Sequence, residues 1–155
     1  MTHELEGGCT CGAVRYRLAS APMFVNCCHC RDCQRQTGGA FVINAVIETD
    51  RIELLKEKPV AVAVPTDSGR PHDIYRCPQC QIAVWSDYGR RPGLRFVRVA
   101  TLDDPAALRP GACIYTRTKL AWVELAKDIP AFEAFYEPKT QWPPESLARA
   151  RAAMK

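Results

Sequence analysis

Nine cysteines in a chain of 155 residues constrain this protein more than any other feature of its sequence. Eight of them lie in three short clusters, at residues 9–11, 27–33 and 77–80, and Cys113 stands apart. An odd number of cysteines without an export signal disfavours a disulfide framework. Two cysteines two or three residues apart in a tight turn direct both sulfurs at one ion, as in structural zinc sites. The clusters therefore predict metal ligands, with disulfides or inert buried thiols as the alternatives.

The first and third clusters contain only two cysteines each, so neither closes a tetrahedral site alone. Pairing Cys9 and Cys11 with Cys77 and Cys80 completes a site of four thiolates. Such a site ties the N-terminal strand to a hairpin in mid-chain, so that metal binding contributes to folding. Zinc is the expected ion, because it is borderline-soft and favours thiolate ligands.

The middle cluster is expected to form a site of its own. Cys28 and Cys30 share a side in extended chain, whereas Cys27 and His29 point the other way. We therefore choose Cys28, Cys30 and Cys33 as a set of three thiolates, which leaves one position on zinc for water or substrate. The alternative is an inert site that is closed by a further ligand, from Cys27, His29 or Cys113.

Short β-type segments separated by Gly and Pro predict a mainly β domain. Residues 14–18, for example, alternate apolar with basic side chains, which is the period of a half-buried strand. Helical signals are weak until the tail, where Pro144-Glu145-Ser146 starts a predicted helix that runs through Leu147 to Met154. The other predicted strands are residues 23–26, 40–47, 60–64, 74–76, 82–85, 94–99 and 112–116.

Composition excludes several classes of protein. Lys plus Arg is 21 and Asp plus Glu is 17, a net charge of +4 that is too small for a dedicated nucleic-acid binder. A local basic patch lies within a strand pattern without aromatic stacking partners, so nucleic acid is not an expected partner; the patch comprises Arg90, Arg91, Arg95 and Arg98. No apolar stretch approaches 18 residues, and the first residues lack a signal pattern, so we expect a cytoplasmic protein without a membrane partner.

Several motifs together resemble the glutathione-dependent formaldehyde-activating enzyme family, which also includes the centromere protein V group. The resemblance covers residues 5–136, and the joint spacing of the three cysteine clusters is highly specific. The matching segments are Gly7-Gly8-Cys9-x-Cys11-Gly12-Ala13-Val14-x-Tyr16, Cys28-His29-Cys30-x-x-Cys33-Gln34-x-x-Thr37-Gly38-Gly39-Ala40, Cys77-Pro78-x-Cys80 with Trp85, Lys119-x-x-Trp122 and Ile129-Pro130-x-Phe132.

This resemblance implies a zinc-binding β-tent fold, in which two antiparallel sheets pack together with zinc at their junction. It implies a zinc domain over residues 1–136, followed by a partly helical tail over residues 137–155. It also implies up to two zinc ions per chain, on the same two cysteine sets that the spacing indicates. We expect Trp85 and Trp122 to lie in the core.

The founding reaction of the family adds the thiol of glutathione to formaldehyde and gives S-hydroxymethylglutathione; in reverse it is a carbon–sulfur lyase reaction. Three thiolates weaken the Lewis acidity of zinc, so capture of a thiolate substrate is the preferred role of the open site. Arg31 and Arg35 beside this site, and Lys119 through the family match, are candidate partners for the glutathione carboxylates. The alternative function is a non-catalytic, zinc-stabilised binding module.

Two residues depart from the family pattern. Gln81 stands where the family has Gly after the Cys-Pro-x-Cys turn, and a positive φ costs Gln more than Gly. Cys113 stands where the family has His before Ile114. Cys113 has three candidate roles, as a fourth zinc ligand, as a polar group in a substrate pocket or as a buried apolar side chain, and its apolar strand favours the last.

Overall fold

The computed structural model describes residues 5–155, which form two β-sheets and three α-helices. Four short 3-10 helices lie in the connections of this part of the chain, at Thr49–Arg51, Val99–Thr101, Pro105–Ala107 and Thr116–Thr118. No helix within residues 5–155 is both long enough and apolar enough to cross a membrane. The strands and α-helices are, in chain order, β1 (Leu5–Gly8), β2 (Arg15–Leu18), β3 (Phe24–Cys28), α1 (Arg31–Thr37), β4 (Val42–Glu48), β5 (Ile52–Leu54), β6 (Val60–Val64), β7 (His72–Arg76), β8 (Ala83–Tyr88), β9 (Leu94–Arg98), β10 (Ala112–Ile114), α2 (Pro138–Gln141) and α3 (Pro144–Ala153).

The strands confirm the predicted mainly β fold with two sheets and a short C-terminal helix. A three-stranded antiparallel sheet has the order β1-β2-β5, and a seven-stranded sheet has the order β10-β3-β4-β9-β8-β7-β6. One pair differs from the expected antiparallel arrangement, because β10 lies parallel to β3. A parallel neighbour requires a long crossover connection, and the chain between Arg98 and Ala112 provides one.

The two sheets enclose the largest cluster of buried side chains. Tyr16 and Leu18 of the small sheet meet Ala45, Val97 and Trp85 of the large sheet. The rings of Tyr16 and Trp85 meet edge to face, with centroids 5.4 Å apart. Because side chains alternate along a strand, the large sheet has a second face, and α1 and the tail cover it.

The Gly-Gly pair before the first cysteine allows two backbone segments to approach closely. A Cβ atom on Gly7 would lie 2.5 Å from the carbonyl oxygen of Thr101, which follows β9. A Cβ atom on Gly8 would lie 2.3 Å from the carbonyl oxygen of Val14. Any larger residue would push the turn that carries Cys9 away from the large sheet.

The C-terminal tail packs on the face of the large sheet that lies away from the small sheet. Ser146 Oγ donates to the carbonyl oxygen of Met23 over 2.7 Å. Arg149 donates to both carboxylate oxygens of Glu48 over 2.7 Å. Helix α3 (Pro144–Ala153) confirms the predicted C-terminal helix and its start at Pro144. The boundary between a domain at 1–136 and a tail at 137–155 stays a prediction.

The two tryptophans predicted to be buried differ in their exposure to solvent. Trp85 is 6% exposed in the main core, whereas Trp122 is 75% exposed, so the prediction for Trp122 is wrong. Trp122 lies in the irregular chain between Thr118 and Ile129, which offers no regular face that would cover an indole ring.

Candidate metal centres

The structure brings Cys9, Cys11, Cys77 and Cys80 together, and we call them the four-cysteine set. Their sulfur atoms all lie within 4.8 Å of one another. Cys9 Sγ is 3.5 Å from Cys11 Sγ, and Cys11 Sγ is 3.7 Å from Cys77 Sγ. Zn–S bonds of about 2.3 Å in a tetrahedron place sulfurs about 3.8 Å apart, so the donor atoms fit zinc. The set joins the turn between β1 and β2 to the turn between β7 and β8.

Backbone N–H groups surround the four-cysteine set. Val14 N–H donates to Cys9 Sγ over 3.3 Å, and Gln79 N–H donates to Cys77 Sγ over 3.4 Å. The N–H groups of Ile82 and Cys11 lower the pKa of the Cys80 thiol to about 6. Donors of this kind favour the thiolate form, which is the form that binds metal.

The turn of the third cluster requires a left-handed residue. Gln81 has a φ of 64°, in agreement with the conformation that the family's Gly indicates for this position. The backbone here is well bonded, since Gln81 N–H donates to the carbonyl oxygen of Cys77 over 3.0 Å. The positive φ of Gln81 strains the backbone, and it belongs to the turn that places Cys80 Sγ beside the other three sulfurs.

Cys28, Cys30 and Cys33 also lie together, and we call them the three-cysteine set. Their sulfurs all lie within 4.8 Å of one another, so three of the four corners of a zinc tetrahedron are present. Cys28 ends β3, Cys30 caps α1, and Cys33 lies in the first turn of this helix. Cys30 Sγ accepts the N–H of Cys33 over 3.3 Å.

The side chains of the three-cysteine set shift the pKa values of one another's thiols in opposite directions. The side chains of Cys28 and Cys33 lower the pKa of the Cys30 thiol, and backbone N–H groups of Cys33 and Asp32 add to this effect. The same interactions, together with burial, raise the pKa of the Cys28 thiol. Three thiols this close together favour the binding of a metal cation, which replaces their protons.

A third group, Cys27, His29 and Cys113, lies apart from the three-cysteine set. Cys27 and Cys113 are register partners across the parallel pair β3–β10, and Cys27 Sγ lies 3.5 Å from His29 Nε2. All three side chains are buried. Burial raises the pKa of the Cys113 thiol and, together with Cys113, that of Cys27 to about 12. Cys113 thus joins the side chains that alternation directs away from Cys28, and its role stays a prediction.

A cleft of about 390 Å³ adjoins α1, the helix that carries Cys33. Its size falls within the range of about 300–1,000 Å³ that small-molecule sites occupy. Arg35 lines it, and Arg35 Nη1 lies 3.8 Å from Asp67 Oδ1. The substrate-binding role expected for Arg35 stays a prediction. Arg76 lines the same cleft, and the sequence pattern does not reveal this position. Its position before the Cys77 turn identifies it only as the end of a strand.

The other two predicted carboxylate partners make contacts within the protein. Arg31 Nη1 donates to Gln34 Oε1, four residues along α1 from the Cys30 cap. Lys119 Nζ donates to the carbonyl oxygens of Leu120 and Val123, the latter over 2.6 Å. Neither residue lines the cleft beside α1.

The fold and the two cysteine sets define a mainly β protein whose clustered cysteines are suited to hold metal ions. Residues 4–118 match the model of the family described as glutathione-dependent formaldehyde-activating enzyme, and the chain belongs to this family. A Halomonas elongata protein named "Putative glutathione-dependent formaldehyde-activating enzyme" is 29% identical over 126 residues, which cover 78% of this chain and 80% of that protein. A crystal structure of a Rhodobacter sphaeroides protein has a TM-score of 0.51 at 18% identity; the match covers 82% of this chain and 99% of that one. The latter similarity concerns the fold alone.

Proposed function

We propose that this protein is a zinc-dependent carbon–sulfur lyase that interconverts formaldehyde and glutathione with S-hydroxymethylglutathione. Family membership supports the substrates, and the separation of four cysteines from three supports the division of labour. The four-cysteine set holds a structural zinc, because four thiolates complete its coordination. The three-cysteine set is the reactive site, because it provides only three ligands.

The single observation that carries this proposal is the position of Cys113. Its side chain lies with Cys27 and His29 rather than with the three-cysteine set. If Cys113 were a fourth ligand of the three-cysteine set, that set would be a second structural site. When bound there, zinc supplies one further ligand position, which favours the thiolate form of an incoming thiol.

The reaction forms one carbon–sulfur bond and needs no oxidant. The glutathione thiol loses its proton, and its sulfur attacks the formaldehyde carbon. The carbonyl π pair moves to oxygen, and this oxygen receives a proton to give the hydroxymethyl group. The reverse reaction breaks the same carbon–sulfur bond, which makes the enzyme a lyase in that direction.

The cleft beside α1 is our proposed site for the peptide part of glutathione. Arg35 and Arg76 supply positive charge for its two carboxylates, while Asp67 beside Arg35 offers an acceptor for its ammonium group. Arg31 is a weaker candidate, since Gln34 already engages its guanidinium. Lys119 is also a weaker candidate, because two backbone carbonyls hold its ammonium group.

Exchange NMR at equilibrium tests this function, since it measures interconversion of formaldehyde, glutathione and the adduct without a coupling enzyme. We expect the zinc-loaded protein to increase the exchange rate above that of the uncatalysed reaction. Cys30→Ser should abolish the increase, whereas Cys113→Ala, a matched cysteine variant in the third group, should retain it. Unchanged exchange with the wild-type protein, together with no glutathione binding at millimolar concentration, would identify a non-catalytic binding module instead.

A further inference from the structure

Arg98, the last residue of β9, is a buried cation. Its side chain is 5% exposed. Arg98 Nη1 donates to Asn44 Oδ1 over 2.6 Å, and Nη2 donates to Gln36 Oε1 over 3.2 Å. Its Nε has no hydrogen-bond partner, and within residues 5–155 no carboxylate oxygen lies within 4.0 Å of its nitrogens. A buried charge of this kind is costly unless an opposite charge compensates it.

Sheet register places Arg98 on the same face as the three-cysteine set. Asn26, Asn44 and Arg98 are register partners across three adjacent strands. Cys28 follows Asn26 by two residues on β3, so its side chain shares that face. Helix α1 covers the face, because Cys33 packs with Cys28 and Val42. Arg98 therefore lies beneath the same helix that carries two of the three cysteines.

Gln36 links the guanidinium directly to that helix. This residue lies on α1 three positions after Cys33, and its amide oxygen accepts from Arg98. Gln36 Nε2 also contacts His72 Nδ1 over 3.3 Å. Neither His72 nor Arg76 can compensate the charge of Arg98. Burial, and then Arg98, lower the pKa of His72 to about 4, which favours its neutral form, and Arg76 is itself a cation.

The side chains of the three-cysteine set act electrostatically on Arg98, which lies on the same face of the large sheet. Burial lowers the pKa of the guanidinium, and the thiolates of the three-cysteine set act in the opposite direction. A divalent ion with three thiolates carries a net charge of 2 − 3 = −1, which a single guanidinium cancels.

We propose that Arg98 is the internal counter-cation of the three-cysteine set and strengthens the binding of metal and of an incoming thiolate there. This inference rests on the proposed function, since it assumes a metal ion on the three-cysteine set. Without Arg98, a fourth thiolate would join an anionic assembly; with Arg98, it joins a neutral one. Arg98 thereby favours an anionic sulfur ligand while Asn44 and Gln36 hold its position.

Zinc competition with a chromophoric chelator tests this role in reduced, full-length protein. We expect the wild type to hold one tight and one labile zinc. Arg98→Gln, which removes the charge and retains hydrogen-bonding groups, should weaken the labile zinc by about 10- to 100-fold, the usual effect of removing a group that supports metal ligands. The tight zinc should not change. Lys127→Met, which removes an exposed cation, should leave both affinities unchanged.

Arg98→Lys separates charge from hydrogen bonding. It retains the cation and loses the planar fork, so its labile zinc should stay within about threefold of wild type. Equal losses in Arg98→Lys and Arg98→Gln would overturn the proposal and identify Arg98 as a hydrogen-bonding scaffold. Calorimetry on the zinc-saturated proteins should show the same order of affinity for glutathione. Wild type and Arg98→Lys should bind it more tightly than Arg98→Gln.

A second variant keeps the proposal testable if Arg98→Gln does not fold. Asn44→Asp retains Arg98 and its hydrogen bond but supplies a local carboxylate that neutralises the guanidinium. We expect it to weaken the labile zinc as well, and unchanged affinity would overturn the proposal. A wild-type protein with no labile zinc would refute the proposed function itself. If the affinity for the labile zinc is the same in both variants as in the wild type, only the role of Arg98 is refuted.

Discussion

Cys77→Ser provides the sharpest test of the structural role of the four-cysteine set. Cys77 is fully buried, and its sulfur lies 3.7 Å from that of Cys11, which is 66 positions away in the chain. The set is the point at which the turn after β1 meets the turn after β7. Serine cannot replace the thiolate as a zinc ligand, so this connection should be lost.

The expected loss of stability is large compared with the stability of a domain. Structural zinc contributes about 10–16 kcal/mol in small finger peptides, whereas a whole domain is stable by about 5–15 kcal/mol. If the variant loses only half of the lower value, about 5 kcal/mol, a chain of this size should melt about 10–20 °C lower. Complete unfolding at 25 °C is the expected upper limit of the effect.

Cys30→Ser is the matched control in the three-cysteine set. Cys30 caps α1 by accepting the N–H of Cys33, and serine is among the best residues at this position. The helix should therefore persist, and only the labile zinc should be lost. Thermal unfolding followed by circular dichroism, with zinc measured in the same samples, compares the two variants. Equal melting temperatures for Cys77→Ser and Cys30→Ser would refute the division into a structural and an open site.

Three further predictions concern stability and the third group. Gln81→Gly should raise the free energy of unfolding by about 0.5–1 kcal/mol, because glycine relieves the positive φ; a lower melting temperature would contradict this. Arg149→Met should cost about 1–3 kcal/mol at pH 7. Arg149 lowers the pKa of Glu48, so the loss of unfolding free energy in Arg149→Met should be complete above the ordinary Glu pKa. The loss should shrink as pH falls through the lowered pKa. A loss that does not depend on pH, measured by urea unfolding, would argue against the ion pair. Cys113→Ala should leave the affinity for labile zinc unchanged, and a large loss in a zinc titration would show that Cys113 closes the site.

Spacing and alternation in the sequence predict much of the site geometry. Cys9 and Cys11 need partners because two ligands do not complete a tetrahedron, and the structure places Cys77 beside them. Alternation along β3 separates Cys28 from Cys27, and the structure shows two distinct groups. The proximity of these side chains follows from coordination number and from the period of a strand. Their assignment as zinc ligands stays a prediction.

Other features depend on contacts that the local sequence does not express. Helix α1 has only seven residues and begins inside the cysteine motif, so its period is too short to detect; Gly38, which caps its C-terminus with a φ of 68°, is its one clear signal. Arg98 resembles part of a basic patch in the sequence, because only the register with Asn44 shows that it is buried. Strand β10 lies parallel to β3, a pairing that a crossover of the chain sets and a local pattern does not.

The zinc content of reduced, zinc-replete protein tests whether the two cysteine sets are a structural and an open zinc site. We expect two zinc ions per chain, of which a mild chelator removes one while the circular dichroism spectrum and the other zinc persist. Removal of that labile ion should also abolish the binding of glutathione, and restoring it should restore the binding. A protein without zinc, or one that binds glutathione equally well without the labile ion, would show that the three-cysteine set is not a zinc-dependent thiol site.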